Sequence, residues 1–212
     1  VADALVLVAR DLREQVLQPI QNPVEMNETL PHVVEKLSSS AGYAELFQKA
    51  FGSEEVTADR IARALEQYLI TLIAPQSKLD LSMEGKVPLS AEERRGFELF
   101  NMEYDPRRGL MGADCFHCHG GALFTNHQFA NNGLSLQNSD EGRFAVTKNE
   151  ADRGKFAVPS LRNVAKRTHF MHDGRFSSLE QVVEHYSTGL LRSNTLDPNL
   201  AKHPDGGVPL GP

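Results

Sequence analysis

Cys115 and Cys118 stand three apart, and His119 follows the second of them directly; the chain has no other cysteine. A pair so spaced can form a disulfide, a redox dithiol, half a zinc site or a haem attachment point. Structural zinc takes four protein ligands, and neither a second cysteine pair nor a suitably spaced histidine pair follows. The redox dithiol is the stronger rival, because a thiol at a helix start can have its pKa lowered. That chemistry wants a strand–helix–strand setting, and the flanks show none. The haem reading needs the histidine that is present. Two cysteines on one helical turn reach the vinyl edge of a single porphyrin, and the next residue aims its imidazole at the iron. These residues point to one covalently attached haem c on Cys115, Cys118 and His119, with the redox dithiol as the alternative. His117 reads as a solvent-facing spacer.

The elements that must position this turn read as helices. Asp11 to Gln18 is a short helical stretch that Pro19 should stop. Leu30, Val33, Val34 and Leu37 recur at helical spacing, as do the apolar residues from Tyr43 to Phe51 ahead of Gly52. Thr57 is placed to cap a helix whose apolar face is Ile61, Leu65, Tyr68, Leu69, Leu72 and Ile73, before Pro75. Ser82 to Pro88 lacks periodicity and reads as a linker. Ser90 and Glu93 form a capping box ahead of Phe97, Leu99 and Phe100, and Ser177 and Glu180 form another for a helix running to Gly189. Gly120 to Gly154 reads as a long irregular loop. From Leu190 onward the composition predicts an extended tail on the surface. No strand pattern stands out, so the fold class is all-α.

With 212 residues, 40% of them hydrophobic, the chain can bury an ordinary core in one or two domains. No apolar run is long enough to span a bilayer. A net charge of −6 argues against nucleic acid as a partner and fits small substrates or basic redox partners. No leader with a cleavage site is visible, which reads as a mature chain or a fragment.

Beyond the haem motif, the chain resembles the bacterial di-haem cytochrome c peroxidase family, including its MauG branch. The resemblance covers roughly residues 10 to 200 and rests on an ordered set of segments. These are Gln15, Pro19 and Asn22-Pro23-Val24-Glu25-Met26; Ser90 to Gly96 leading into Phe100; Lys155 to Val164; and His172-Asp173-Gly174-Arg175 followed by Leu179-Glu180. It implies a cytochrome c-like haem domain over residues 88–212, preceded over residues 1–87 by the helical remainder of a second, peroxidatic haem domain. Two departures stand out. The family carries two haem motifs and this chain has only the second, and Leu5 to Val8 do not match the family's Trp-Asp-Gly-Arg stretch. The chain therefore reads as part of a larger protein with a second haem.

The resemblance also assigns roles. Glu25 matches the acid–base carboxylate beside the peroxide-binding haem, and Gln15 a neighbour that positions it; Met26 reads as a packing residue. A placed acid–base group contributes about 10²–10⁴-fold when a proton must move in step with bond cleavage. In the peroxidase branch a Met lies fourteen residues beyond the His of the His-Asp-Gly motif, and here that count from His172 reaches Tyr186. The MauG branch has a Tyr ligand there, so Tyr186 is the expected sixth iron ligand, with Met171 as the alternative. Arg162 and Arg175 suit haem propionates or surface ion pairs. His172 suits the haem edge or the propionate side, and His169 solvent. Thr168 and the Phe170 carbonyl fall where the family binds calcium between its domains. The implied function is a haem peroxidase that reduces hydrogen peroxide or uses it to oxidise a partner; the alternative is an electron-transfer cytochrome without peroxide chemistry. Implied partners are hydrogen peroxide, a redox partner protein, the remaining haem domain and a second copy of the chain in a homodimer. The implied compartment is the periplasm or its equivalent.

Overall fold

A computed structural model describes residue 9 and residues 11–72, 74–136 and 140–210. Leu5 to Val8 and Ile73 lie outside the described residues. The chain divides into two compact units, Val1–Ile73 and Ala74–Pro212.

The first unit is helical. Helix α1 spans Leu12–Gln21, capped by Asp11, whose side chain accepts from the Glu14 N–H. It does not stop at Pro19. The proline sits in the last turn, where its fixed φ suits the helix and only one backbone bond is lost. Helices α2 (Leu30–Ser38), α3 (Ala41–Phe51) and α4 (Ala58–Thr71) follow, with Gly52 ending α3 in the left-handed conformation expected of a helix stop. Thr57 caps α4 by accepting from the Arg60 N–H. Phe47, Val56 and Ile61 form the core, with Val33, Val34, Leu37 and Phe51 packed on it. The apolar face of α4 is buried only at its start. Ile61 and Ala62 are enclosed, whereas Leu65, Tyr68 and Leu72 are exposed, because within this unit the core reaches only the first turn of α4.

The Thr57 cap holds the helix that carries Ile61 into this core. Thr57→Ala is expected to cost about 1 kcal/mol of stability, the usual loss of an N-cap oxygen. Denaturant unfolding would show this as a lower midpoint at unchanged slope.

The second unit opens with α5 (Lys78–Met83), started by a Ser77–Asp80 capping box, and α6 (Ala91–Phe100), started by the expected Ser90–Glu93 box. The stretch between them is no linker. The Leu81 carbonyl accepts from the Lys86 N–H at 2.8 Å, and Lys78 Nζ reaches Glu93 across the turn at 2.6 Å.

The all-α expectation holds only in the main. Two antiparallel ladders of two residues each are present, β1 (Tyr104–Asp105) with β2 (Leu110–Met111), and β3 (Phe129–Ala130) with β4 (Phe156–Ala157). Between β2 and β3 lies the single turn α7 (Phe116–His119). The Gly120–Gly154 stretch is not wholly irregular, since besides β3 it holds a short helix, α8 (Phe144–Thr147). Helix α9 (Leu179–Thr188) is capped by Ser178, one residue after the expected cap. Ser177 instead donates its N–H to Gln181 Oε1. The tail is not laid on the surface. It carries α10 (Pro198–Ala201), buries Leu190, Leu196, His203 and Val208, and returns to α9 where the Val208 N–H donates to the Tyr186 carbonyl at 3.0 Å.

Candidate haem site

The turn α7 begins immediately after Cys115 and ends at His119, so both sulfurs and the imidazole project from one helical turn. His119 Nδ1 lies 3.0 Å from the Phe124 carbonyl. A carbonyl can only accept, so Nδ1 carries the proton and Nε2 keeps the lone pair that an iron would take. Burial holds His119 below the usual histidine range, against the opposing pull of the Phe124 and Pro159 carbonyls, which keeps the ring neutral and able to ligate. Phe124 sits at φ 53°, an unusual value for a bulky residue, and at that angle its carbonyl meets the imidazole.

The thiols are not primed for redox chemistry. Burial pushes both Cys115 and Cys118 up to about 11, the opposite of the depression a dithiol nucleophile needs. Asp114 adds to the rise at Cys115 and Asp197 to that at Cys118.

Tyr186 is half-buried on α9, with its hydroxyl oxygen 3.4 Å from the Asn132 side-chain nitrogen. Burial pushes its phenol up to about 12, opposed by a contact from Asn132, and the charges of Cys118 and Cys115 raise it further. The Asn132 carboxamide nitrogen lies 3.4 Å from Tyr186 Oη and 3.4 Å from Met171 Sδ, so the expected sixth ligand and its alternative share one donor. Met171 adopts φ 70°, a second strained position in this site.

These features fit a c-type haem: two sulfurs on one turn, a neutral imidazole with a free lone pair, and a half-buried phenol.

The other expected residues fall as follows. Arg162 is engaged on both sides, donating to both Asp80 carboxylate oxygens at 2.9 and 3.0 Å and to the Ala74 and Ala122 carbonyls. Arg175 pairs with Asp173 and donates to the Leu134 carbonyl. His172 stacks on Phe156 at 3.6 Å between ring centres, with Nε2 3.1 Å from Asp140. Together they line a cavity of about 130 Å³ with Asn132 and Asp173. Thr168 and His169 are exposed, with Thr168 Oγ1 3.1 Å from His169 Nδ1, and Phe170 is buried. Gln15 lies on α1 in the first unit. Glu25 lies on the exposed turn after it and accepts from the Asn22 side chain at 3.0 Å. The Met26 N–H closes that turn on the Pro19 carbonyl.

His117 is not a solvent-facing spacer. Its Nε2 lies 3.1 Å from Glu103 and 3.5 Å from Asp114. These three groups have the spacing of a cation site, yet Lys202 Nζ already stands among them, 2.8 Å from Asp114 and 3.1 Å from Glu103. The buried His203 ring completes the cluster by contacting Asp114 at 2.8 Å. Sequence reading missed Asn132, Asp114 and His203, whose partners lie tens of residues away and leave no local signal.

The chain is similar to known proteins along most of its length. Residues 7–88 match the family model described as di-haem cytochrome c peroxidase. The chain is 40% identical over 181 residues to a cytochrome c551 peroxidase of Nitrosomonas europaea, covering 83% of this chain and 51% of that protein. It is 36% identical over 184 residues to the methylamine utilization protein MauG of Methylorubrum extorquens, covering 85% of this chain and 50% of that one. Among solved structures, a MauG-like protein associated with microbial copper homeostasis is similar with a TM-score of 0.72 and 28% identity, over 89% of this chain and 58% of the other. This chain belongs to the di-haem cytochrome c peroxidase family, MauG included. It spans about half the length of the curated relatives it matches. No helix among the described residues is long and apolar enough to cross a membrane.

Proposed function

We propose that the chain is the haem c-binding part of a di-haem peroxidase that reduces hydrogen peroxide or uses it to oxidise a partner. The observation that carries this reading is the turn that sets Cys115, Cys118 and His119 side by side, with His119 Nδ1 held by the Phe124 carbonyl, in a chain of this family. Haem c, once bound, supplies a redox-active iron. Cys115 and Cys118 hold it through thioether bonds, and His119 binds the iron through Nε2. Tyr186 is the sixth ligand, in the manner the MauG resemblance implies. Held by both His119 and Tyr186, this haem would suit electron transfer, and the peroxide chemistry would belong to a second haem in the whole protein. There Glu25 would serve as the acid–base group that holds and moves the peroxide proton, with Gln15 positioning it. Residues 1–87 are, on this reading, the helical remainder of that second haem domain. Thr168 and the Phe170 carbonyl are the proposed calcium ligands. The compartment is the periplasm or its equivalent, and the partner is a redox protein acting as donor or substrate.

Tyr186 decides the character of the haem on His119. A phenolate oxygen is hard and anionic and favours ferric iron, whereas a thioether favours ferrous iron. Tyr186→Phe is expected to change the ferric absorption spectrum and raise the reduction potential in a spectroelectrochemical titration. A wild-type ferric spectrum in that variant, together with a changed one in Met171→Ala, would assign the ligand to Met171 instead.

A further inference from the structure

The two residues that compete for the sixth position meet at a single side chain. Asn132 Nδ2 lies 3.4 Å from Tyr186 Oη and 3.4 Å from Met171 Sδ. A carboxamide nitrogen carries two hydrogens, so one Asn can address both partners. The residue is itself anchored to the helix that carries Tyr186. His185 Nε2 lies 3.0 Å from the Asn132 carbonyl and must donate to it. On its other side the segment is fixed by Asn131, which is buried and bonded through Nδ2 to Ser193 and Thr195. The Asn132 donor therefore has a defined place beside the ligand pair.

We infer that Asn132 is a positioning residue that selects Tyr186 over Met171 as the sixth ligand, a step that rests on the Tyr186 ligation proposed above. An N–H bond to an anionic phenolate oxygen is charge-assisted, whereas the same N–H meets only a weak acceptor in a thioether sulfur. The donor thus stabilises Tyr ligation more than Met ligation.

The test uses the haem-loaded protein and two readouts that need no turnover, the ferric spectrum and the affinity of the ferric haem for added cyanide. Cyanide must displace the sixth ligand, so weaker ligation reads as tighter cyanide binding. Asn132→Leu, similar in size and without a donor, is expected to bind cyanide roughly 10–100-fold more tightly than wild type, the worth of a bond to a charged group. Its ferric spectrum should move toward that of Tyr186→Phe. Asn132→Asp keeps the shape, loses the donor, and should move the same way, which guards against misfolding of the Leu variant. If Tyr186→Phe changes both readouts while Asn132→Leu and Asn132→Asp keep wild-type values, Asn132 has no such role. Wild-type values in Tyr186→Phe itself would sink the ligation, and this inference with it.

Discussion

Cys115→Ala combined with Cys118→Ala is expected to abolish covalent haem: the denatured polypeptide should show no haem absorbance and no haem mass. The effect is all-or-none because each thioether needs its own sulfur, and the chain offers no third cysteine. The single substitutions should each leave one bond and a shifted absorption spectrum. The same double variant separates the haem reading from a dithiol one. A disulfide-active pair would depend on thiolates, yet burial pushes both thiols up to about 11, where almost none is ionised near neutrality. Dithiol-exchange activity in the wild-type protein, lost in the double variant, would contradict this account.

Glu25→Gln in the two-haem protein is expected to lower peroxide turnover by about 10²-fold or more. Gln is nearly isosteric but cannot exchange a proton in the same way. The local fold should survive, because the turn around Glu25 is closed by backbone bonds from Glu25 to the Asn22 carbonyl and from Met26 to the Pro19 carbonyl. The contact from the Asn22 side chain can also be made to an amide oxygen. Haem content should therefore match wild type while turnover falls. Wild-type turnover with both haems loaded would remove Glu25 from the acid–base role.

What could be read in advance follows from the distance over which each feature is encoded. Caps at Thr57 and Ser90 and the stop at Gly52 are written within four residues, and all three are found as expected. Errors of one residue arise where two side chains compete for one role, as Ser177 and Ser178 do at the start of α9. Pro19 misled because a proline stops a helix only when the lost bond matters, and in a last turn it does not.

The features left unread are those made by distant partners. The β3–β4 ladder joins Phe129 to Ala157, with a loop between them that shows no strand periodicity. Arg162 and Asp80 meet across the second unit, 82 residues apart in sequence, so the pair leaves no local signal. His203 meets Asp114 beside the haem turn although its surroundings in sequence look like a loose tail. The proposed haem motif is readable in sequence because covalent attachment would demand its residues side by side. The groups that tune it are not, because a hydrogen bond needs only closeness in space.

The central claim is that this chain carries one haem covalently on Cys115 and Cys118. Intact-mass spectrometry of the denatured wild-type chain, as isolated from its natural compartment, tests it most directly. The account predicts the polypeptide mass plus that of a single haem, with the added mass mapping to the peptide from Cys115 to His119. A denatured chain at the bare polypeptide mass would contradict it.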